Sequence, residues 1–187
     1  MNSNKGSRLD TRTLTQSGFL VAISIVITRF LSFMVPLAGG LPALRLGFGE
    51  VPLMISGLLF GPVVGGISGI VADLIGAWAF PQGPYFPGFT LSSMLWGVIS
   101  GMYGVYLRKK GEQGNPFSYK RVFFIIIICT VFISTLMNTY WLTQMMGKGF
   151  MVLLPGRILS DIIKIPVETY IITILIKQLR RTVAFDK

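Results

Sequence analysis

The chain contains six apolar stretches, of which the second is short, and they decide what kind of fold it can adopt. Of its 187 residues, 52% are hydrophobic and only 13% are charged. A segment of about 20 apolar residues can cross the hydrocarbon core of a bilayer as an α-helix. The sequence therefore predicts an all-α, polytopic integral membrane protein with six transmembrane helices. The predicted spans are residues 14–37, 49–60, 63–80, 90–107, 122–142 and 155–179.

The whole chain, residues 1–187, is expected to form one transmembrane domain with both ends on the same side. Loops rich in Lys and Arg tend to lie in the cytoplasm. If the N-terminus is cytoplasmic, twelve of the 17 Lys and Arg residues fall inside. The sequence therefore predicts a multi-pass protein of the cell membrane with both termini cytoplasmic. The predicted parts are an arm at residues 1–13, a bundle at 14–180 and a tail at 181–187.

Two connections are too rich in Gly and Pro to be helical and too apolar to be ordinary solvated loops. Residues 36–48 read PLAGGLPALRLGF and carry Arg45, and residues 81–89 read PQGPYFPGF and carry Phe86 and Phe89. Gly and Pro interrupt helices and favour turns. We therefore expect re-entrant or lid-like loops on the outer side of the bundle.

The last apolar stretch carries four charges on one helical face. Arg157, Asp161, Lys164 and Glu168 follow one another at spacings of three or four residues, which aligns them along one side of an α-helix. A charge at the centre of the bilayer costs roughly 2.5 to 3.5 kcal/mol, whereas ion pairs within a helix return only about 0.2 to 0.5 kcal/mol each. This charged face must therefore look into protein or into a water-accessible cavity. Arg157, Asp161 and Lys164 are predicted to contact a ligand, and the deeper Glu168 is predicted to be structural.

Other polar and aromatic side chains are predicted to lie in the same outer half of the bundle. The cations Arg29 and Arg45 fall there, where the positive-inside rule gives no reason for them. The further candidates are Asp73, Phe86, Phe89, Asn138, Tyr140 and Trp141. For Asp73 a structural role between helices is an equal alternative, and Tyr140 and Trp141 are also typical of a membrane-interface belt. The set indicates a pocket for a small, polar, partly anionic and aromatic ligand.

Several function classes are excluded by what the chain lacks. It has no histidine and a single cysteine, Cys129, which rules out histidine-dependent catalysis and an intramolecular disulfide. It contains neither a P-loop nor a G-x-S-x-G elbow. The net charge of +10 comes mostly from basic residues at segment ends, so it does not indicate nucleic acid binding. We expect a protein that is not an enzyme and that binds neither a metal nor a cofactor.

The glycine-rich middle of the chain resembles a known family of membrane proteins. Residues 45–76 read RLGFGEVPLMISGLLFGPVVGGISGIVADLIG, and residues 83–97 read GPYFPGFTLSSMLWG. These segments resemble the substrate-binding S components of energy-coupling factor (ECF) vitamin transporters, above all the folate-specific type. The resemblance covers essentially the whole chain.

The resemblance implies a high-affinity folate-binding subunit that has no ATPase of its own. Such a subunit captures the vitamin on the outer side of the membrane. It works with a transmembrane coupling protein (EcfT) and two ATPase subunits, which drive uptake. The resemblance also implies docking through small residues of the first span, and in this chain these are Gly18 and Ala22.

Folate suits the chemistry of the candidate residues. Its carboxylates suit Arg and Lys, its pterin edge offers hydrogen-bond donors, and its rings suit aromatic faces. The predicted contacts to the carboxylates are Arg157, Lys164 and either Arg29 or Arg45. The predicted contacts to the pterin are Asp161, Asn138 or Asp73. The alternatives are an S component for biotin or riboflavin, and a stand-alone secondary carrier of a small organic anion.

Overall fold

The described part of the chain folds into six helical rods, which confirms the predicted all-α class. The computed structural model describes residues 10–35, 44–81, 83–110, 117–147 and 149–182. The rods are α1 Thr11–Phe30, α2 Glu50–Phe60, α3 Pro62–Ala79, α4 Pro87–Lys109, a fifth rod over Tyr119–Met146, and α7 Phe150–Thr182. The fifth rod consists of α5 Tyr119–Cys129, a π-helical segment Thr130–Met137 and α6 Asn138–Met146.

The prediction that the first span reaches residue 37 is wrong, because the chain leaves the helix earlier. α1 ends at Phe30, and strand β1, Phe33–Val35, then pairs antiparallel with strand β2, Leu44–Leu46. A segment rich in Gly and Pro does not continue a helix, and the segment between the strands, residues 36–43, has that composition but lies outside the described residues. The predicted lid-like connection is thus a two-stranded ribbon in its described part.

Three of the described helices are long and apolar enough to cross a bilayer by length and composition, namely Thr11–Phe30, Pro62–Ala79 and Tyr119–Met146. α2 has only 11 residues, which span about 16 Å at about 1.5 Å per residue. Residues 51–59 of α2 are all buried. This short helix is therefore a core element that its neighbours surround.

α2, α3 and α4 pack with their backbones almost in contact. A Cβ added to Gly65 would lie 2.6 Å from the Cα of Gly57, and a Cβ added to Gly97 would overlap the carbonyl oxygen of Gly65. Glycines at such positions let helices approach closely. α2, α3 and α4 therefore form one closely packed group. The turn between α2 and α3 lies at Gly61, whose φ of 97° favours glycine.

An apolar cluster joins α2 to the fifth rod and to α7. Met54 and Leu58 of α2 are buried in the same cluster as Ile133 of the π-helical segment and Ile172 of α7. Closer to the start of α7 the interior becomes polar, because Ser160, Asp161, Lys164 and Glu168 are all buried there. This polar interior carries the candidate site.

Candidate functional site

The charged face of α7 points into the bundle, as predicted. Asp161, Lys164 and Glu168 are 5%, 8% and 1% exposed, respectively. Arg157, one turn before Asp161, is half-buried. The exposed side of the same stretch is apolar and includes Ile162. Buried charges need partners, and the structure supplies them from two other elements.

Lys164 is held between two carboxylates. Its ammonium donates a hydrogen bond to Oε1 of Glu50, the first residue of α2, and lies 3.5 Å from Oε1 of Glu168, one turn further along α7. The ion pair with Glu50 ties α2 to α7 across the polar interior. Because the charge of Lys164 is already compensated, the geometry weighs against its predicted contact with a ligand carboxylate.

Asp161 accepts hydrogen bonds from two hydroxyls of the π-helical segment. Ser134 Oγ donates to Oδ1 at 2.9 Å, and Thr135 Oγ1 donates to Oδ2 at 2.7 Å. The wider turn of a π-helix, with its i→i+5 pattern, brings successive side chains closer in direction than an α-helix does. Two adjacent hydroxyls can therefore reach one carboxylate. Both oxygens of Asp161 thus already accept one hydrogen bond from the protein. Its contact with a pterin stays a prediction.

The four aromatic candidates form one cluster where α4 and α6 meet. The ring of Phe86 lies 6.1 Å from that of Phe89 and 5.8 Å from that of Trp141, and the rings of Tyr140 and Trp141 are 5.1 Å apart. Trp141 Nε1 also donates to Ser92 Oγ at 3.3 Å. The sequence placed these rings in two distant segments, and the fold brings them together as an aromatic wall.

Asn138 lies on the fifth rod between the aromatic cluster and the hydroxyls that hold Asp161. It comes three residues after Thr135 and three before Trp141, a rise of about 4.5 Å on either side. Its Oδ1 atom is buried and has no hydrogen-bond partner among the residues that the structure describes. Buried polar atoms are nearly always hydrogen-bonded. This atom therefore marks a place where a ligand or a water can bind.

Asp73 links α3 to α4. Thr90 Oγ1 donates to Asp73 Oδ2 at 2.6 Å, and the hydroxyl of Tyr85 lies 2.9 Å from Thr90 Oγ1. This geometry favours the structural alternative for Asp73.

The guanidinium of Arg29 packs against Gly76 of α3, where an added Cβ would lie 3.0 Å from Nε. Arg45 lies on β2, and its side chain is outside the described part of the structure.

The predicted docking residues lie on the outside of the bundle. Gly18 and Ala22 are both exposed on α1, and a Cβ added to Gly18 would meet nothing within 4 Å. Val26, one turn further along, is also exposed. None of the described residues covers this surface, which leaves it open to another chain. Its use for docking stays a prediction.

Three polar contributors were missed by the sequence reasoning. Glu50 has a recognisable signal, since it is a single charge at the start of an otherwise apolar helix. Ser134 and Thr135 carry no such signal, because hydroxyl residues are common in apolar helices and only the π-helical geometry turns both toward Asp161. Within the described ranges, no group of three or more His, Cys, Asp or Glu side chains is arranged to hold a metal ion.

Comparisons with known proteins place the chain among transporter subunits. The family described as ECF transporter, substrate-specific component, matches residues 12–176. Folate transporter FolT of Clostridium novyi (strain NT) is 40% identical over 154 residues, which cover 82% of this chain and 81% of the relative. Folate transporter FolT of Leuconostoc mesenteroides is 24% identical over 166 residues, which cover 86% of this chain and 82% of the relative.

Solved structures of related subunits have the same fold. A crystal structure of FolT bound with folic acid matches with a TM-score of 0.68 and 29% identity, over 86% of this chain and 89% of that one. The S component for biotin from an ECF-type ABC transporter matches with a TM-score of 0.65 and 19% identity, over 95% of both chains. At that lower identity the likeness concerns the fold alone.

Proposed function

The chain belongs to the family of substrate-specific components of ECF transporters, and we propose that it binds folate on the outer side of the cell membrane for ATP-driven uptake by partner subunits. Two relatives over most of its length are folate transporters. The structural neighbour at 29% identity holds folic acid. The S component for biotin shares only the fold, which does not favour biotin as the ligand.

The observation that carries the proposal is the unpartnered Oδ1 of Asn138 beside the aromatic wall. A pterin is a flat ring whose edge carries an amino group and a ring N–H. The faces of Phe86 and Trp141 suit the ring, and the amide oxygen of Asn138 can accept from one of the edge donors. A flat ring with an anionic tail fits these groups better than a purely apolar ligand does.

The glutamate tail of folate needs cations, and three arginines in the predicted outer half of the bundle are candidates for this role. Arg157 stands near the start of α7, Arg29 near the end of α1, and Arg45 on the ribbon. Guanidinium groups bind carboxylates with two parallel hydrogen bonds. We assign the tail to Arg157 together with Arg29 or Arg45.

The proposed partners are those of an ECF transporter. The subunit would dock to the transmembrane coupling protein EcfT through the exposed small-residue face of α1, and two ATPase subunits would supply the energy. Both termini would be cytoplasmic, which places the basic loop between α4 and α5 on the same inner side.

Binding can be tested by titrating the purified chain with folate, riboflavin, thiamine and biotin in a calorimeter. We expect folate to bind with the highest affinity. Intrinsic fluorescence then locates the ligand, because the three tryptophans differ in place. Folate should quench the wild type, Trp141→Phe should lose most of the quenching, and Trp78→Phe should keep it, since Trp78 is 84% exposed on the outside of the bundle.

Tight binding of another vitamin without binding of folate would overturn the proposed function. Full quenching in the Trp141→Phe variant would leave folate as the ligand but remove it from the aromatic wall. These two outcomes can be distinguished, because calorimetry reports which vitamin binds and fluorescence reports whether it binds near Trp141.

A further inference from the structure

The three carboxylates of the polar interior differ in how accessible they are to a ligand. Asp161 is 5% exposed, and each of its oxygens already accepts a hydroxyl hydrogen bond. Glu168 is 1% exposed and lies 3.5 Å from the ammonium of Lys164. The side chain of Glu50 is 17% exposed. Glu50 is therefore the most accessible of these three carboxylates.

The backbone that carries Glu50 is fixed to α1. Ser24 Oγ donates to the carbonyl oxygen of Gly49 at 2.6 Å, and Ser24 is buried. A Cβ added to Gly49 would overlap Thr28, so α1 and the start of α2 touch. A group on a rigid support, with its side chain held by a second residue, recognises a ligand in one orientation. Lys164 is the residue that holds the side chain of Glu50, through their hydrogen bond.

Glu50 and Lys164 place an acceptor directly beside a donor. An ionised carboxylate only accepts hydrogen bonds, and an ammonium only donates them. Glu50 stands in the first turn of α2, where the helix dipole favours a negative charge. The charges that surround the pair are Glu168 and Asp161 on α7, followed by Arg157 one turn earlier.

We propose that Glu50 and Lys164 together read the edge of the pterin ring, an inference that rests on the proposed function. Along this edge a pterin carries a 2-amino group, a ring N3–H and a carbonyl oxygen at C4. Glu50 accepts from N3–H and from one N–H of the 2-amino group, which leaves the other N–H of that group for Asn138, and Lys164 donates to the C4 oxygen. Lys164 then binds the ring rather than the glutamate tail, and Glu50 becomes a specificity-determining residue.

This arrangement explains how the site rejects other flat rings. A flavin has an oxygen at C2, where a pterin has its amino group. The carboxylate of Glu50 would face that oxygen without a hydrogen between them, and two facing acceptors disfavour the complex. Selection at the ring edge therefore needs no contact with the tail.

The test compares 6-methylpterin with 6-methyllumazine, which has an oxygen in place of the 2-amino group, by calorimetry on the purified full chain. For the wild type we expect pterin to bind at least about tenfold more tightly, because the mismatched ring leaves buried polar groups unpaired. Glu50→Gln keeps the shape but exchanges one acceptor for a donor. We expect it to reduce that preference at least about tenfold or to reverse it.

Two further variants keep the test decisive. Glu50→Asp retains an acceptor but is one methylene shorter, so we expect weaker binding of both rings with the preference kept. Asp10→Asn is the matched carboxylate-to-amide control, since Asp10 is exposed just before α1, and we expect it to leave both affinities unchanged. An unchanged preference in Glu50→Gln, or an equal loss of preference in Asp10→Asn, would overturn the inference. If the wild type binds no folate, the proposed function itself fails; if it binds folate while Glu50→Gln leaves the preference intact, only this inference fails.

Discussion

At the scale of single residues, the polar interior is stabilised by side chains that reach across elements. Asp161 on α7 is satisfied by Ser134 and Thr135 on the fifth rod, and Lys164 is satisfied by Glu50 on α2. Each contact gives a buried charged group a hydrogen-bond partner. Breaking a buried pair costs more than the pair contributes, because the remaining charge stays desolvated.

Removing one of the two hydroxyl groups that donate to Asp161 should therefore destabilise the protein. Thr135→Val keeps the side-chain shape but leaves Oδ2 without its donor at a residue that is 5% exposed. We expect a loss of about 1 to 3 kcal/mol, measured by thermal or denaturant unfolding in detergent. Thr143→Val is the matched control, since within the described part of the chain that hydroxyl donates to the Thr139 carbonyl of its own helix rather than to a charged side chain. Equal stability of the two variants would show that the Asp161 contact contributes little.

At the scale of elements, glycines set the distance between α2, α3 and α4. Gly57, Gly65 and Gly97 stand where the three backbones meet, and no side chain fits between them. Ser56 and Ser68 add a buried hydrogen bond of 3.0 Å between α2 and α3. This close packing holds the start of α2, and with it Glu50, in place relative to α7.

Enlarging one of these glycines should separate the helices. The Cβ of Gly97→Ala would overlap the carbonyl oxygen of Gly65, and forced overpacking costs about 1 to 3 kcal/mol or more. Gly18→Ala is the control, since it adds the same methyl to an exposed helical position with nothing within 4 Å. It should raise the stability by up to about 1 kcal/mol. Unfolding of both variants in the same detergent checks the expectation, and a tolerated Gly97→Ala would contradict the close packing.

At the scale of the whole molecule, the outside of the bundle is apolar. Large side chains such as Phe19, Val63 and Trp78 are each more than two thirds exposed. In water a surface of this kind would drive association, but in a bilayer it faces lipid chains. A docking surface on such a molecule is distinguished by small residues that allow close helix contact rather than by hydrophobicity.

Bulky substitutions on α1 should therefore block assembly without affecting ligand binding. The double variant Gly18→Leu/Ala22→Leu places large side chains on the proposed docking face, and we expect the complex with the coupling protein and the ATPases to weaken by at least about tenfold, or about 1.4 kcal/mol. Ala79→Leu is the matched control, because it enlarges an exposed residue of α3. Co-purification measures assembly, and calorimetry with folate checks that the site is intact. Normal assembly of the double variant would exclude this face.

Sequence by itself determined the class of fold and the direction of the charged face. Apolar stretches of bilayer length leave few alternatives to helices, because backbone groups in lipid must be satisfied within the segment. Asp161, Lys164 and Glu168 share a helical face, and charges are too costly in lipid to point outward. Both predictions follow from local spacing, and both are confirmed.

Only the tertiary structure decided which side chains meet. The spacing of Lys164 within α7 could not identify Glu50, which lies 114 residues away in sequence. It could not predict the π-helical turn that directs Ser134 and Thr135 to Asp161, or the ribbon that shortens the first span. Periodicity fixes the face on which a residue lies, whereas its partner depends on how whole helices pack, and close glycine contacts between α2, α3 and α4 set that packing here.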